Sequence, residues 1–147
     1  MTPALRLTLQ PDAEHSVGLE CEACYDGFAG RGMAWFAPAE IEQFCDALGA
    51  YPLAEAGASL IGGYGEPSGA RVVTLGLSVR PTNRLGALDL VASLAEGHVD
   101  NLPSLAMQSA QVRIPVTYEA LRPLSRSLRA LLAGRVPEAT LDAPHPR

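Results

Sequence analysis

Four groups of residues in this chain have the types and spacing from which chemistry could be built. Cys21-Glu22-Ala23-Cys24 is a Cys-x-x-Cys pair, the spacing used for zinc ligation and for thiol–disulfide exchange. Zinc would need two more ligands, and the remaining candidates, Cys45, His15, His98 and His145, stand singly along the chain. A redox pair needs its first thiol at a helix N-terminus, where the dipole favours thiolate. The residues around Cys21 read instead as a strand, on which positions i and i+3 point to opposite faces. Cys21 and Cys45 therefore read as small core residues, with no metal and no cofactor expected.

The other three groups are weaker. Glu20 and Glu22 share one strand face at about 6–7 Å, a separation that suits glycoside hydrolysis only inside a cleft that raises one pKa. The run Gly62-Gly63-Tyr64-Gly65-Glu66-Pro67-Ser68-Gly69 lacks a Gly-Lys-Ser/Thr ending and precedes a strand, so no helix N-terminus waits to hold a phosphate. It reads as a hairpin loop. No serine sits in a Gly-x-Ser-x-Gly elbow. The expectation is a protein that is not an enzyme and has no catalytic residues.

The elements that carry these residues follow from hydrophobic period. Leu5, Leu7 and Leu9 alternate as a first strand, and Val17, Leu19, Cys21 and Ala23 as a second. The glycines between Asp26 and Gly32 predict a turn, leaving a short third strand, Met33 to Phe36. There the alternation of Trp35 with Met33 favours a core tryptophan, the other role being a binding anchor. Ile41, Phe44, Cys45 and Leu48 then fall at i, i+3, i+4 and i+7, predicting a helix over about 38–48 with Pro38 in its first turn and Gly49 as its stop. The period returns to two in Ser59–Gly63, Val73–Val79, Leu88–Leu94 and Ala110–Val116, with loops at Pro81–Arg84 and around Asn101–Pro103. A second helix is expected over about 117–133. Thr117 would cap it, Leu121, Leu124, Leu128, Leu131 and Leu132 would be buried, and Pro123 would kink it or mark its true start. Arg122, Arg126 and Arg129 form its exposed basic stripe.

The predicted fold is α+β: one mostly antiparallel sheet of about seven strands with both helices packed on one face. Residues 1–134 form a single domain, and 135–147, with Pro137, Pro144 and Pro146, a loosely ordered tail apart from a contact by Leu141. Hydrophobic content of 48% against 18% charged residues excludes intrinsic disorder.

Charge is divided unevenly along the chain. Met1 to Glu66 carries ten acidic residues against two arginines, and Pro67 to Arg147 six against nine, for a net −5 without a single lysine. That balance argues against general nucleic-acid binding, which needs a basic face. No apolar run is long enough to span a membrane, and the start has no signal-peptide character. A cytoplasmic location is expected, where three cysteines stay reduced. Glu20, Glu22, Asp26, Glu40, Glu42 and Asp46 lie on neighbouring elements. They are the candidate partner-binding residues, an acidic surface able to steer a basic protein into contact.

The succession Leu19-Glu20-Cys21, Gly32-Met33-Ala34-Trp35-Phe36, Ile41-Glu42-Gln43-Phe44 and Leu75-Gly76-Leu77-Ser78-Val79, closing on Leu121, Leu128 and Leu131-Leu132, resembles WapI-type immunity proteins and related small bacterial families. They share strands, a helix carrying Phe-x-x-x-Leu (Phe44 and Leu48 here), more strands and a leucine-rich terminal helix. The resemblance spans nearly the whole chain and carries over no catalytic residue. It implies a non-enzymatic cytoplasmic protein that binds and neutralises a partner toxin, with the acidic surface covering a basic toxin domain. Two other readings stand beside it: a small-ligand-binding or enzymatic domain with a pocket the sequence does not reveal, and a self-associating structural subunit.

Overall fold

The computed structural model describes residues 3–13, 15–65, 68–83, 85–97 and 107–144, with the backbone alone described at 11–13. Its elements run β1 (Leu5–Ala13), β2 (Ser16–Tyr25), β3 (Phe28–Phe36), α1 (Pro38–Gly49), β4 (Ala58–Gly65), β5 (Arg71–Pro81), β6 (Leu88–Ala95), β7 (Ser109–Val116), α2 (Tyr118–Leu132) and β8 (Ala139–Leu141). The α+β class holds, but the single seven-stranded sheet does not. The strands form two antiparallel sheets of four, ordered β3-β2-β1-β8 and β4-β5-β6-β7. Alternation tells which face of a strand is buried; it does not tell which strand lies beside it.

Asp26 and Gly27 account for most of the first sheet's register. Their φ values are +51° and +82°, positive at both central residues, as the type I′ two-residue hairpin turn requires. Tyr25 consequently pairs with Phe28, and the ladder continues to Val17 with Phe36. The predicted turn is therefore only two residues long, and β3 starts five residues earlier than its expected Met33. Gly30 and Gly32 are not turn residues. They are strand residues that let β3 approach the second sheet closely, Gly30 against the Ala110 side chain and Gly32 against the backbone of Thr74.

That meeting organises the molecule. β3 touches all four strands of the second sheet. A Cβ added at Gly30 would lie 2.7 Å from the Ala110 side chain on β7, one at Gly32 would lie 2.0 Å from the Thr74 carbonyl oxygen on β5, and one at Gly62 on β4 would lie 2.8 Å from Ala34. Four residues of β3, at about 3.3 Å each, thus span three strand spacings of about 4.8 Å. The strand crosses the second sheet close to a right angle, the orthogonal mode of sheet packing. The buried Thr74 hydroxyl donates a 2.6 Å hydrogen bond to the Met33 carbonyl, tying the sheets together across the contact.

The helices close the remaining apolar surface. α1 buries Ile41, Phe44, Cys45 and Leu48, the stripe expected of it. It begins at Pro38, and the Ala37 N–H donates to the Glu40 carboxylate at 3.1 Å. Gly49 is its last residue rather than its stop; the chain leaves the helix through an extended Ala50. α2 starts at Tyr118, with the Thr117 hydroxyl accepting from the Ala120 N–H at 3.2 Å. Pro123 lies within this one helix and is not its start. Lacking an N–H, it forfeits a single helical bond near the N-terminus. Leu121, Leu124, Leu128 and Leu131 are buried, but Leu132 is only half-buried, and Ser125 takes an interior place instead. Its hydroxyl donates to the Cys45 carbonyl at 2.9 Å, joining α2 to α1. Both helices pack on each other, α1 also meeting β4 and α2 meeting β8 and β1.

The expected loose tail is corrected over Ala139–Leu141. Those residues pair with β1, and Ala139 and Leu141 are buried in the core. Three residues with two apolar positions are too short to announce a strand in sequence. The expected glycine loop is likewise strand through Gly65, while Glu66 and Pro67, Arg84, and the loop around Asn101–Pro103 lie outside the described residues.

Two glycine substitutions test this account. Gly32→Ala drives a methyl group into backbone and should lower unfolding free energy by about 3 kcal/mol or more, the upper range for overpacking. Gly49→Ala meets nothing within 4 Å and should raise it by up to about 1 kcal/mol. Urea unfolding of both variants measures the difference.

Candidate functional site

The outer face of the first sheet collects the largest share of the chemistry read from sequence. On β2, Leu19, Cys21 and Ala23 point inward, so Gly18, Glu20, Glu22 and Cys24 point out. The ladders set Thr8 and Arg6 of β1 beside Glu20 and Glu22, and Met33 and Arg31 of β3 on their other side. Gln10 donates from Nε2 to Glu20 at 2.8 Å. Arg6 approaches Glu22 at 3.9 Å and Glu138 at 3.1 Å. Both carboxylates are held on an open sheet surface, where exposed pairs contribute little to stability.

Trp35 is on this face too, which corrects its assignment to the core. It is 47% exposed and stands opposite Gly18. A Cβ at Gly18 would come within 2.6 Å of Met33 Cε and 3.3 Å of the indole, so both side chains lie across the bare backbone of β2. The reason is the crossing. The inward positions of β3 that lie on the second sheet are Gly30, Gly32 and Ala34, because nothing larger fits, and the bulky residues are left outside.

The other candidate carboxylates lie elsewhere. Asp26 forms the hairpin turn. Glu40 is engaged in starting α1. Asp46 forms an ion pair and hydrogen bond with Arg129 on α2, and Glu42 is exposed one turn away. The buried stripe of α1 joins the core beneath the inner faces of the sheets, so Glu20 and Glu22 point away from this helix. The six residues occupy a sheet face, a turn and a helix. Arg129, from the predicted basic stripe, meets an acid of the first half, whereas Arg122 and Arg126 stay exposed.

The cysteines part as strand geometry expects. Cys21 is buried and Cys24 exposed, with Cys45 buried in α1. Burial pushes the Cys21 thiol from an ordinary 9.0 up to about 12, with the Glu22 charge adding to it. Burial raises Cys45 as well, opposed by Arg129 and aided by Asp46 and Glu42. Among the described residues, no three His, Cys, Asp or Glu side chains cluster as a metal site, and no helix is long and apolar enough to cross a membrane. Beside the Trp35 face an open cleft of about 830 Å³ separates Arg31 and Met33 from Glu96 and Gln108. No family model, curated protein or solved structure matches this chain.

Two measurements follow from the thiols. In native protein one of the three cysteines, Cys24, should react promptly with an alkylating reagent, and all three should react in denaturant; mass spectrometry distinguishes the cases. An unfolded thiol ionises near pH 9, whereas Cys21 retains its proton to about 12. Its contribution is therefore whole below pH 9 and is lost as pH rises toward 12, by about 1.4 kcal/mol per unit. Urea midpoints between pH 8 and 11 should fall more steeply for wild type than for Cys21→Ala.

Proposed function

We propose that this protein is a non-enzymatic binding module that docks another protein on the outer face of its first sheet, in the manner of an immunity protein neutralising a toxin. The observation that carries the reading is the exposed Trp35 laid over Gly18, with Met33 beside it and Glu20 and Glu22 within the same face. A rigid sheet holds the indole in place before contact, so little conformational entropy is lost on binding. Glu20 and Glu22 supply the polar border and favour a partner presenting arginine or lysine. The resemblance to WapI-type immunity proteins points the same way, since those proteins act by binding and carry no catalytic set.

The test is co-expression with the products of adjacent genes, followed by light scattering of whatever co-purifies. A defined complex is expected, and Trp35→Ala should weaken it at least tenfold, the scale of a binding hot spot. Double charge reversal, Glu20→Arg with Glu22→Arg, should weaken it further and reduce its salt dependence. Because Trp35 is the sole tryptophan, its emission should shift to the blue as the partner excludes water. A complex indifferent to these substitutions, with silent fluorescence, sinks the proposal.

A further inference from the structure

α2 carries Arg122, Arg126 and Arg129 on its outer side, spaced by four and then three residues. Like charges at these spacings repel across one helical turn, and an opposite charge relieves them. Arg129 has such a partner in Asp46. Arg122 and Arg126 do not: both are exposed, and neither makes an ion pair or hydrogen bond among the described residues. Glu119 stands three residues before Arg122 and does not pair with it. The end of α1 meets the start of α2 beside these arginines, leaving an open groove of about 380 Å³ lined by Ala50, Tyr51, Tyr118, Glu119 and Pro123 as well as by Arg122 and Arg126. Tyr51 and Tyr118 meet edge to face there, with ring centroids 4.8 Å apart and planes at 77°. The Tyr118 hydroxyl accepts from the Leu53 N–H at 3.1 Å, which fixes that ring, whereas Tyr51 is 74% exposed.

We propose that this groove binds a small aromatic anion, a ring bearing a carboxylate or phosphate, with the ring against Tyr51 and Tyr118 and the charged group between Arg122 and Arg126. Two rings set nearly at right angles form a corner that a third ring enters by stacking on one face and turning its edge to the other. Guanidinium is the donor that matches carboxylate and phosphate oxygens with paired N–H bonds. The two arginines outnumber Glu119, so the charge left over in the groove is positive and complements an anion. Its volume lies at the small end of ligand pockets, which begin at about 300 Å³, and so suits one substituted ring. Neither half of the ligand suffices alone, because exposed charges attract one another weakly across water and the aromatic corner is open on one side. The groove shares no residue with the Trp35 face, so either can fail without the other.

Phenyl phosphate and benzoate, titrated into the intact isotope-labelled chain and followed by amide chemical shifts, test it. At least one of them should move the signals of Gly49, Ala50, Tyr51 and Tyr118 with a dissociation constant of about 1 mM or less, and the tighter of the two tells phosphate from carboxylate. Inorganic phosphate and benzyl alcohol, each carrying one half of the ligand, should bind about tenfold more weakly. Arg122→Gln with Arg126→Gln changes exposed side chains that have no partner, so it should keep the melting temperature while weakening binding about tenfold. Tyr51→Ala should weaken it likewise. Silence toward both aromatic anions overturns the inference. So do shifts confined to other residues, inorganic phosphate binding as tightly as phenyl phosphate, or an affinity that the arginine substitutions leave unchanged.

Discussion

The contact of the β3 backbone with the second sheet is the constraint on which the rest of the structure depends. Stacked sheets usually stand about 10 Å apart, separated by interdigitated side chains. Here Gly30, Gly32 and Gly62 remove those side chains along one line, and the sheets approach closely there, main chain against main chain at Gly32, while opening elsewhere. The opening is filled by Phe36 and the leucines of β1, β5, β6 and both helices. Because apolar burial scales with area removed from water, the close crossing lets a chain of modest length enclose one continuous core. The Thr74 hydroxyl gives the contact a direction as well as a distance, since its bond to the Met33 carbonyl fixes where along β5 the strand lies.

The uneven charge of the sequence is largely redistributed by folding. Arg129 comes from the basic half and meets Asp46 of the acidic half; Glu138 from the second half meets Arg6 of the first. α2 packs on α1 and β8 on β1, so the chain's last elements return to its first. Neighbours in sequence therefore do not stay the relevant neighbours in space. The six acids are dispersed over a sheet face, a turn and a helix, with Glu20 and Glu22 on the face that also carries the indole.

Much of the secondary structure could be read in advance because period reports burial. Ile41, Phe44, Cys45 and Leu48 face inward as their spacing demands, and Leu88, Leu90, Ala92 and Leu94 do so at period two. Cys21 and Cys24 part to opposite faces for the same reason. Reading failed where period was silent or misleading. The division into two sheets depends on contacts between distant residues. β8 is too short to show a period. At β3 the usual assumption that larger residues face inward is reversed, because distance to the second sheet, not hydrophobicity, selects those positions. A signal was present in the Asp26-Gly27 pair: a two-residue turn there assigns Gly30, Gly32 and Ala34 to one face and Arg31, Met33 and Trp35 to the other.

That division of β3 separates two kinds of evolutionary freedom on alternate residues of one strand. Gly30 and Gly32 admit almost no replacement, since any Cβ there enters a neighbour. Arg31, Met33 and Trp35 face solvent across a sheet already locked from beneath, so their replacement changes the shape and charge offered to other molecules without disturbing how the chain folds. A scaffold arranged in this way can alter its outer surface one residue at a time while its architecture stays unchanged.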